Sequence, residues 1–301
     1  MRVCNFLMVV SLFTRVSIAE DQKPREYPGL HNVITVTAKL LSGSCPEGEA
    51  GFKSLHDLGV KTIISVDGAK PDVELARKAG LRYVHIPIGY DGVPREKALQ
   101  LAKAVDTLPG LVYLHCHHGK HRSPAAAAAV RRCLDGSCTA EVALGLLKLA
   151  GTDPNYKGLY ADATAMKPAT AEELAKASSE FPAIAAVGDL AKRMVEVDER
   201  CDRLKAIRKA GWVTPPGQAD LEPAHEALLL REALQEAARL PASAKKASGY
   251  RKLLDEAIIQ VREIEEELRR SPRDGVKLER SFKALSTGCV QCHQRYRDTR
   301  E

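Results

Sequence analysis

Cys116 and Arg122 stand with five residues between them in the stretch Leu111-Val112-Tyr113-Leu114-His115-Cys116-His117-His118-Gly119-Lys120-His121-Arg122-Ser123. A thiol and a guanidinium so spaced divide a phosphoryl transfer between them. The thiolate attacks phosphorus while the guanidinium grips two phosphoryl oxygens in bidentate fashion. An apolar, β-branched run carries the chain into this loop, and an alanine-rich helix, Pro124 to Leu134, leaves it. A loop between a strand end and a helix N-terminus collects backbone N–H groups at the positive end of the helix dipole, which makes an anion site. Gly119 allows the tight turn. The positions expected to bind phosphate are therefore His117, His118, Gly119, Lys120, His121 and Arg122. Ser123 is placed to hydrogen-bond the thiolate and help it leave, and His115, the local amides and Arg122 are expected to lower the thiol pKa. The bland alternative is a buried structural cysteine beside a basic loop. A metal cluster of His115, His117, His118 and His121 is disfavoured, because the sequence shows no regular ligand geometry for a closed site.

These residues complete the pattern His-Cys-x-x-Gly-x-x-Arg-Ser. In this the chain resembles the cysteine-dependent protein tyrosine phosphatases, most closely their small dual-specificity branch. The resemblance implies a carboxylic acid, on a loop upstream of the cysteine, that protonates the leaving oxygen and then activates water. Asp91, 25 residues before Cys116 in the run His85 to Pro94, matches an Asp-Gly-x-x-Pro variant of that loop. Aspartate before glycine is also an ordinary turn signal, and Asp67, likewise before glycine, is the fallback. Lys120 matches a position that is basic in phosphatases of phosphoinositides. Three histidines at the rim would add positive charge in acidic media. The substrate stays open among phosphotyrosine proteins, phosphoinositides and small phosphomonoesters.

A second chemical motif ends the chain. Cys289-Val290-Gln291-Cys292-His293 has the spacing for covalent attachment of one haem c, with two thioethers from Cys289 and Cys292 and His293 as proximal iron ligand. A thioredoxin-like redox pair belongs at a strand–helix junction instead, and a structural zinc site needs more ligands than this segment offers. With Arg297 four residues after His293, the segment from about Ala183 to Glu301 resembles cytochrome c′-type proteins. The resemblance implies a homodimer through the first two helices, and Met194 as a candidate sixth ligand. Ordinary core packing of Met194 is the competing expectation. An open distal site would bind small gases.

The elements that must position these groups follow from periodicity. Residues 30–167 alternate short β-rich runs with helical patterns, an α/β domain with a central sheet flanked by helices. Strands are predicted at Val33–Val36, Thr62–Val66, Tyr83–Ile88 and Leu111–His115, and helices near Glu47–Leu58, Asp72–Ala79, Arg95–Leu108 and Thr139–Ala150. From Lys167 to about Pro182 the composition turns to Ala, Pro, Thr, Ser and Glu, so 168–182 is expected to be a linker or a loosely held helix. Beyond it four apolar stripes predict an all-α four-helix bundle over 183–301. They run through Val187 to Leu204, Leu229 to Leu240, Tyr250 to Leu268 and Leu278 to Tyr296.

The 301 residues are 45% hydrophobic and 28% charged, enough for two domains. Residues 1–19 read as a secretory signal: Arg2, an apolar run from Val3 to Phe13, and Ser17-Ile18-Ala19 before Glu20. Residues 20–29 follow as an N-terminal extension, and no other run is long enough to span a bilayer. A periplasmic or otherwise exported protein is expected, and covalent haem agrees. Without Arg2 and Arg15, 43 basic and 39 acidic residues leave a net charge of about +4, too mild for nucleic acid binding. Cys133 and Cys138 are spaced to pair, Cys201 falls on a helix seam, and Cys45 is either a plain thiol or a disulfide partner for Cys116. Two functions compete. One is an exported phosphatase carrying a haem domain that senses redox state or gas or transfers electrons. The other is a c-type cytochrome, with a redox partner or gas ligand, whose phosphatase-like domain only binds anions.

Overall fold

The computed structural model describes residues 23–298, so the secretory signal expected over 1–19 lies outside the described residues. Leu30–Thr37 (β2) and Leu40–Ser44 (β3) pair antiparallel, with Arg25–Tyr27 (β1) antiparallel on the outer side of β2. Val60–Ser65 (β4), Arg82–His85 (β5) and Leu111–Cys116 (β6) add parallel strands, giving the order β1-β2-β3-β6-β4-β5. This is a mixed sheet whose centre is parallel. Strand β6 lies between β3 and β4 and is buried from Val112 to Cys116. A strand covered on both faces must be apolar almost throughout, which is why this run stands out in the sequence.

Helices Gly48–Asp57 (α1), Val73–Lys78 (α2), Arg95–Thr107 (α3), Arg122–Leu134 (α4), Ala140–Leu149 (α5) and Lys157–Ala165 (α6) cover the sheet. Successive residues of the central strands serve two cores. Ile63 and Tyr113 pack with Leu30, Phe52 and Leu55, whereas Ile64 and Leu114 pack with Leu101, Leu147 and the alanines of α4. Ala125 to Ala129 are all buried, so the small side chains let α4 lie close against the sheet.

Two strands depart from expectation, and one segment is held more firmly than expected. Strand β3 has no β-branched residue, yet all five of its residues are buried. A Cβ on its Gly43 would sit 2.3 Å from the Tyr113 hydroxyl, which donates to the Ser44 carbonyl at 2.7 Å. Strand β1 arises inside the stretch expected to be a plain extension. Residues 168–182, expected to be a linker or a loosely held helix, hold Ala171–Lys176 (α7), with a Thr170–Glu173 capping box. Arg95 forks onto Glu173 at 2.9 Å, Lys103 donates to the Ala175 and Ala177 carbonyls, and His85 N–H donates to the Pro182 carbonyl at 2.8 Å. These bonds fasten the segment to α3 and β5, so a composition that cannot form a core still orders along one.

Beyond it the chain is helical: Asp189–Lys209 (α8), Pro223–Arg239 (α9), the short Pro241–Ala244 (α10), Ser248–Leu268 (α11) and Gly275–Tyr296 (α12). Helix α8 packs on α9, α9 on α11 and α11 on α12, around Leu204, Leu230, Val261, Ile264, Leu278 and Leu285. In α9 the buried stripe is Ala227, Leu230 and Leu234, not one through Leu229, which is only half-buried. The triplet Leu228-Leu229-Leu230 hides the phase, and the pairing of buried Glu226 with Arg200 at 3.2 Å and Arg203 at 3.4 Å sets it. Among the described residues no helix is long and apolar enough to cross a membrane.

Candidate functional site

The loop after β6 is held by its carbonyl oxygens. The His117 carbonyl accepts from the Cys45 N–H at 3.1 Å, that of Gly119 from Asn32 Nδ2 at 2.8 Å, and that of Lys120 from Thr152 Oγ1 at 2.6 Å. A trans peptide points its N–H opposite to its C=O. With those oxygens turned outward to β3, β2 and the α5–α6 connection, the N–H groups of His118, Lys120 and His121 turn inward. Gly119 sits at φ +70°, and a Cβ there would lie 2.4 Å from the Gly43 carbonyl carbon. The turn thus needs glycine for its conformation and for its seat on β3. No side chain caps the first turn of α4, so its amides add to the same cradle.

Cys116 is buried at the end of β6, its Sγ 3.3 Å from Ser123 Oγ, and that hydroxyl lies 3.2 Å from the Gly43 carbonyl. Ser123 has one proton for two acceptors. Arg122 opens α4, and its buried Nε has no hydrogen-bond acceptor among the described residues. Its guanidinium stacks 4.4 Å from the Tyr90 ring centroid. A buried guanidinium N–H without an acceptor is costly, and it is the group a phosphoryl oxygen would satisfy.

The histidines differ from expectation. His115 is fully buried, with Nε2 2.7 Å from the Tyr83 hydroxyl, and burial pushes its ring down to about 4. It is neutral at neutral pH, so it holds the strand end in place and lends the thiol no positive charge. Burial also pushes His121 down to about 4, and burial and neighbouring His117 lower His118. Only His117 is raised, by its bond to Asp202 of α8, so of the three rim histidines it is the one whose charge the fold favours.

Tyr90 fixes where Asp91 begins. The segment Ile86 to Pro94 follows β5, and stacking of Arg122 on Tyr90 draws it to the mouth of the loop. The Asp91 carboxylate folds back over Gly89, where a Cβ would come within 2.2 Å of Oδ1, and its carbonyl packs on Gly158 at the start of α6. Asp67 is buried, with Oδ1 accepting the Ala69 N–H at 2.8 Å and its carbonyl accepting His85 Nε2 at 2.8 Å. A carboxylate spent on its own turn is poorly free to shuttle protons. Asn32, Thr152 and Tyr90 belong to the site but no motif exposes them. The only local signal is Asn32 itself, whose φ of +56° asparagine tolerates better than most residues.

The cysteines are unpaired among the described residues. Cys133 and Cys138, spaced so that they could pair, are both free thiols. Cys133 faces the core beside Arg95 and Met166, while the Cys138 thiol points to the Thr139 carbonyl. Cys45 is likewise not bonded to Cys116, and burial pushes its thiol up to about 12.

At the end of α12, Cys289 and Cys292 are half-buried, free, and packed against the helical core. Spaced by three, they share one face of the helix. Burial, then neighbouring Arg297, push the adjacent His293 down to about 3, which leaves a neutral imidazole able to ligate a metal. The donor set fits haem c. Burial and Cys289 push the Cys201 thiol on α8 up to about 12, while Met194, two turns earlier, is half-buried. Arg297 reaches the other domain: its guanidinium lies 3.9 Å from the Tyr90 ring centroid and donates to the Tyr156 hydroxyl at 3.4 Å.

No protein-family model matches the chain, and no curated protein matches it. Solved structures do. A DUF442 protein from Shewanella putrefaciens CN-32, described as a putative phosphatase, is 21% identical, with 46% of this chain and 91% of that one covered and a TM-score of 0.38. TpbA from P. aeruginosa in complex with phosphotyrosine is 22% identical over 48% of this chain and 87% of that one, TM-score 0.39. The catalytic domain of the PP-IP phosphatase SIW14 from S. cerevisiae is 14% identical over 58% and 96%, TM-score 0.37.

Proposed function

We propose that residues 30–167 are a cysteine-dependent phosphatase domain that hydrolyses phosphomonoesters. One observation carries the reading: Cys116 ends β6 at the base of a loop whose carbonyls are bonded outward, beside a buried Arg122 Nε that lacks an acceptor among the described residues. The Cys116 thiolate attacks phosphorus, forming an S–P bond as the P–O bond to the leaving group breaks. Arg122 and the inward amides stabilise the charge on the equatorial oxygens. Asp91 gives its proton to the leaving oxygen. It then takes one from water, which attacks phosphorus and breaks the S–P bond, while Ser123 turns its hydroxyl from Gly43 to the departing thiolate. Phosphotyrosine, phosphoinositides and small phosphomonoesters are the substrates to offer.

Residues 183–301 we read as an exported, cytochrome c′-like four-helix bundle carrying one haem c. Cys289 and Cys292 would hold the porphyrin and His293 the iron, and the haem would supply one-electron or gas-binding chemistry. Met194 would be a further iron ligand only in a low-spin ferrous protein.

Hydrolysis of p-nitrophenyl phosphate by the full chain tests the first reading. Cys116→Ser is expected to abolish turnover, and Asp91→Asn to slow it roughly 10²- to 10⁴-fold. An inactive wild type with Cys116 reduced would leave a cytochrome with an anion-binding partner domain. The haem is tested by a pyridine haemochrome spectrum of chain exported with a cytochrome c maturation system. A haem that survives acid–acetone extraction is expected, and Cys289→Ser/Cys292→Ser is expected to lose it.

A further inference from the structure

The loop histidines make no metal cluster among themselves, but the fold adds a ligand from 84 residues further along the chain. His117 and His118 present their rings together, centroids 4.3 Å apart and inclined at 62°. Asp202 of α8 faces them, with Oδ2 3.5 Å from His117 Nε2. One ligand atom from each of the three lies within 4.8 Å of the other two.

We propose that His117, His118 and Asp202 form a divalent transition-metal site, best suited to zinc, that clamps α8 of the helical domain onto the phosphatase loop.

Two imidazoles and one carboxylate are the ligand types of zinc sites that keep an open fourth position. Bonds of about 2.0–2.1 Å in a tetrahedron separate ligand atoms by about 3.3 Å. The His117–Asp202 pair is already near that separation. His118 is exposed and free to close the remainder by a side-chain rotation. The surroundings match what metal ligands need behind them. Asp202 Oδ1 accepts from Lys205 Nζ at 2.6 Å, which orients the carboxylate and leaves Oδ2 for the ion. The Cys45 N–H holds the His117 carbonyl, so the backbone under both histidines is anchored to β3. Asp198, one turn before Asp202, adds negative charge near His117.

Without the metal the same residues make an ion pair between His117 and Asp202, and the experiment separates the two. Full-length Cys116→Ser protein, which lacks the thiolate that would itself take zinc, is dialysed against micromolar Zn(II). The same is done with Asp202→Asn and with His118→Gln added. Cys289, Cys292 and His293 are unchanged throughout, so zinc held there cancels. Each added substitution is expected to lose one equivalent of zinc, or to weaken it at least tenfold. Co(II) in place of zinc is expected to give visible absorption of tetrahedral intensity that both variants lack. His118→Gln alters an exposed side chain and guards against misfolding of the other variant. Retention of the equivalent, with unchanged affinity, by either variant overturns the proposal and leaves an ion pair only.

Discussion

At the scale of single residues, the role proposed for Ser123 is to set how fast the thiolate leaves. Its hydroxyl lies 3.3 Å from Cys116 Sγ and 3.2 Å from the Gly43 carbonyl, so the proton given to sulfur in one step is given to the backbone in another. A hydrogen bond to a charged partner contributes about 1.5–3 kcal/mol. Ser123→Ala is therefore expected to form the phosphoenzyme normally and break it down about 10- to 100-fold more slowly. A rapid-quench trace would show a full burst of p-nitrophenol followed by a slow steady state. Equal slowing of burst and steady state would mean that Ser123 acts on attack as well. His115 is the residue whose role changes most. The motif suggests a charged neighbour for the thiol, but burial makes it a neutral brace on Tyr83.

At the scale of elements, the end of α11 and the start of α12 are tied by one carboxylate. Glu267 is buried and accepts from the Asp274 N–H at 2.9 Å, Lys277 Nζ at 3.1 Å and Arg270 at 3.1 Å. The bond from the Asp274 backbone, then Lys277, hold its carboxyl below the ordinary carboxylate range. Glu279, gripped by Arg208, shifts in the same direction. A carboxyl whose pKa is lower folded than unfolded stabilises fully above the unfolded value, near 4.5, and loses that contribution as pH falls through the folded one. Helical-domain stability is thus expected to drop as pH falls below about 4.5. Glu267→Gln is expected to be less stable at pH 7 and to show a shallower acid slope. Thermal melts by circular dichroism between pH 7 and pH 3 measure both, and parallel slopes would assign the acid lability to other groups.

At the scale of the whole molecule, α12 and the Cys116–Arg122 loop meet at one aromatic ring. Arg122 from one domain and Arg297 from the other both stack on Tyr90, and Arg297 also reaches Tyr156. A desolvated cation–π contact contributes on the order of 1–2 kcal/mol, enough to bias a loop whose next residue is the proposed acid. Arg297→Ala is expected to speed hydrogen exchange across 89–93 and 154–158 while leaving exchange in the core of β6 unchanged. Unchanged exchange in both loops would show that Tyr90 and Tyr156 are held by their own domain.

Residue type and spacing alone revealed the two chemical motifs, the strand and helix bracketing Cys116, and the helical second half. Each depends on contacts within a turn or two of chain, and buried parallel strands and amphipathic helices both write their burial into local periodicity. Other features depend on partners distant in sequence, where local pattern is silent. Strand β3 is a strand because β2 and β6 flank it. The composition of 168–182 carries no core, yet α3 and β5 order it. The phase of α9 follows from a carboxylate paired across helices. Asn32, Thr152 and Cys45, which turn the loop carbonyls outward, and Asp202, which meets His117 and His118, come from four separate parts of the chain. Only packing brings them to the Cys116 loop, because hydrogen bonds and ligand contacts form by proximity in space, whatever the distance along the chain.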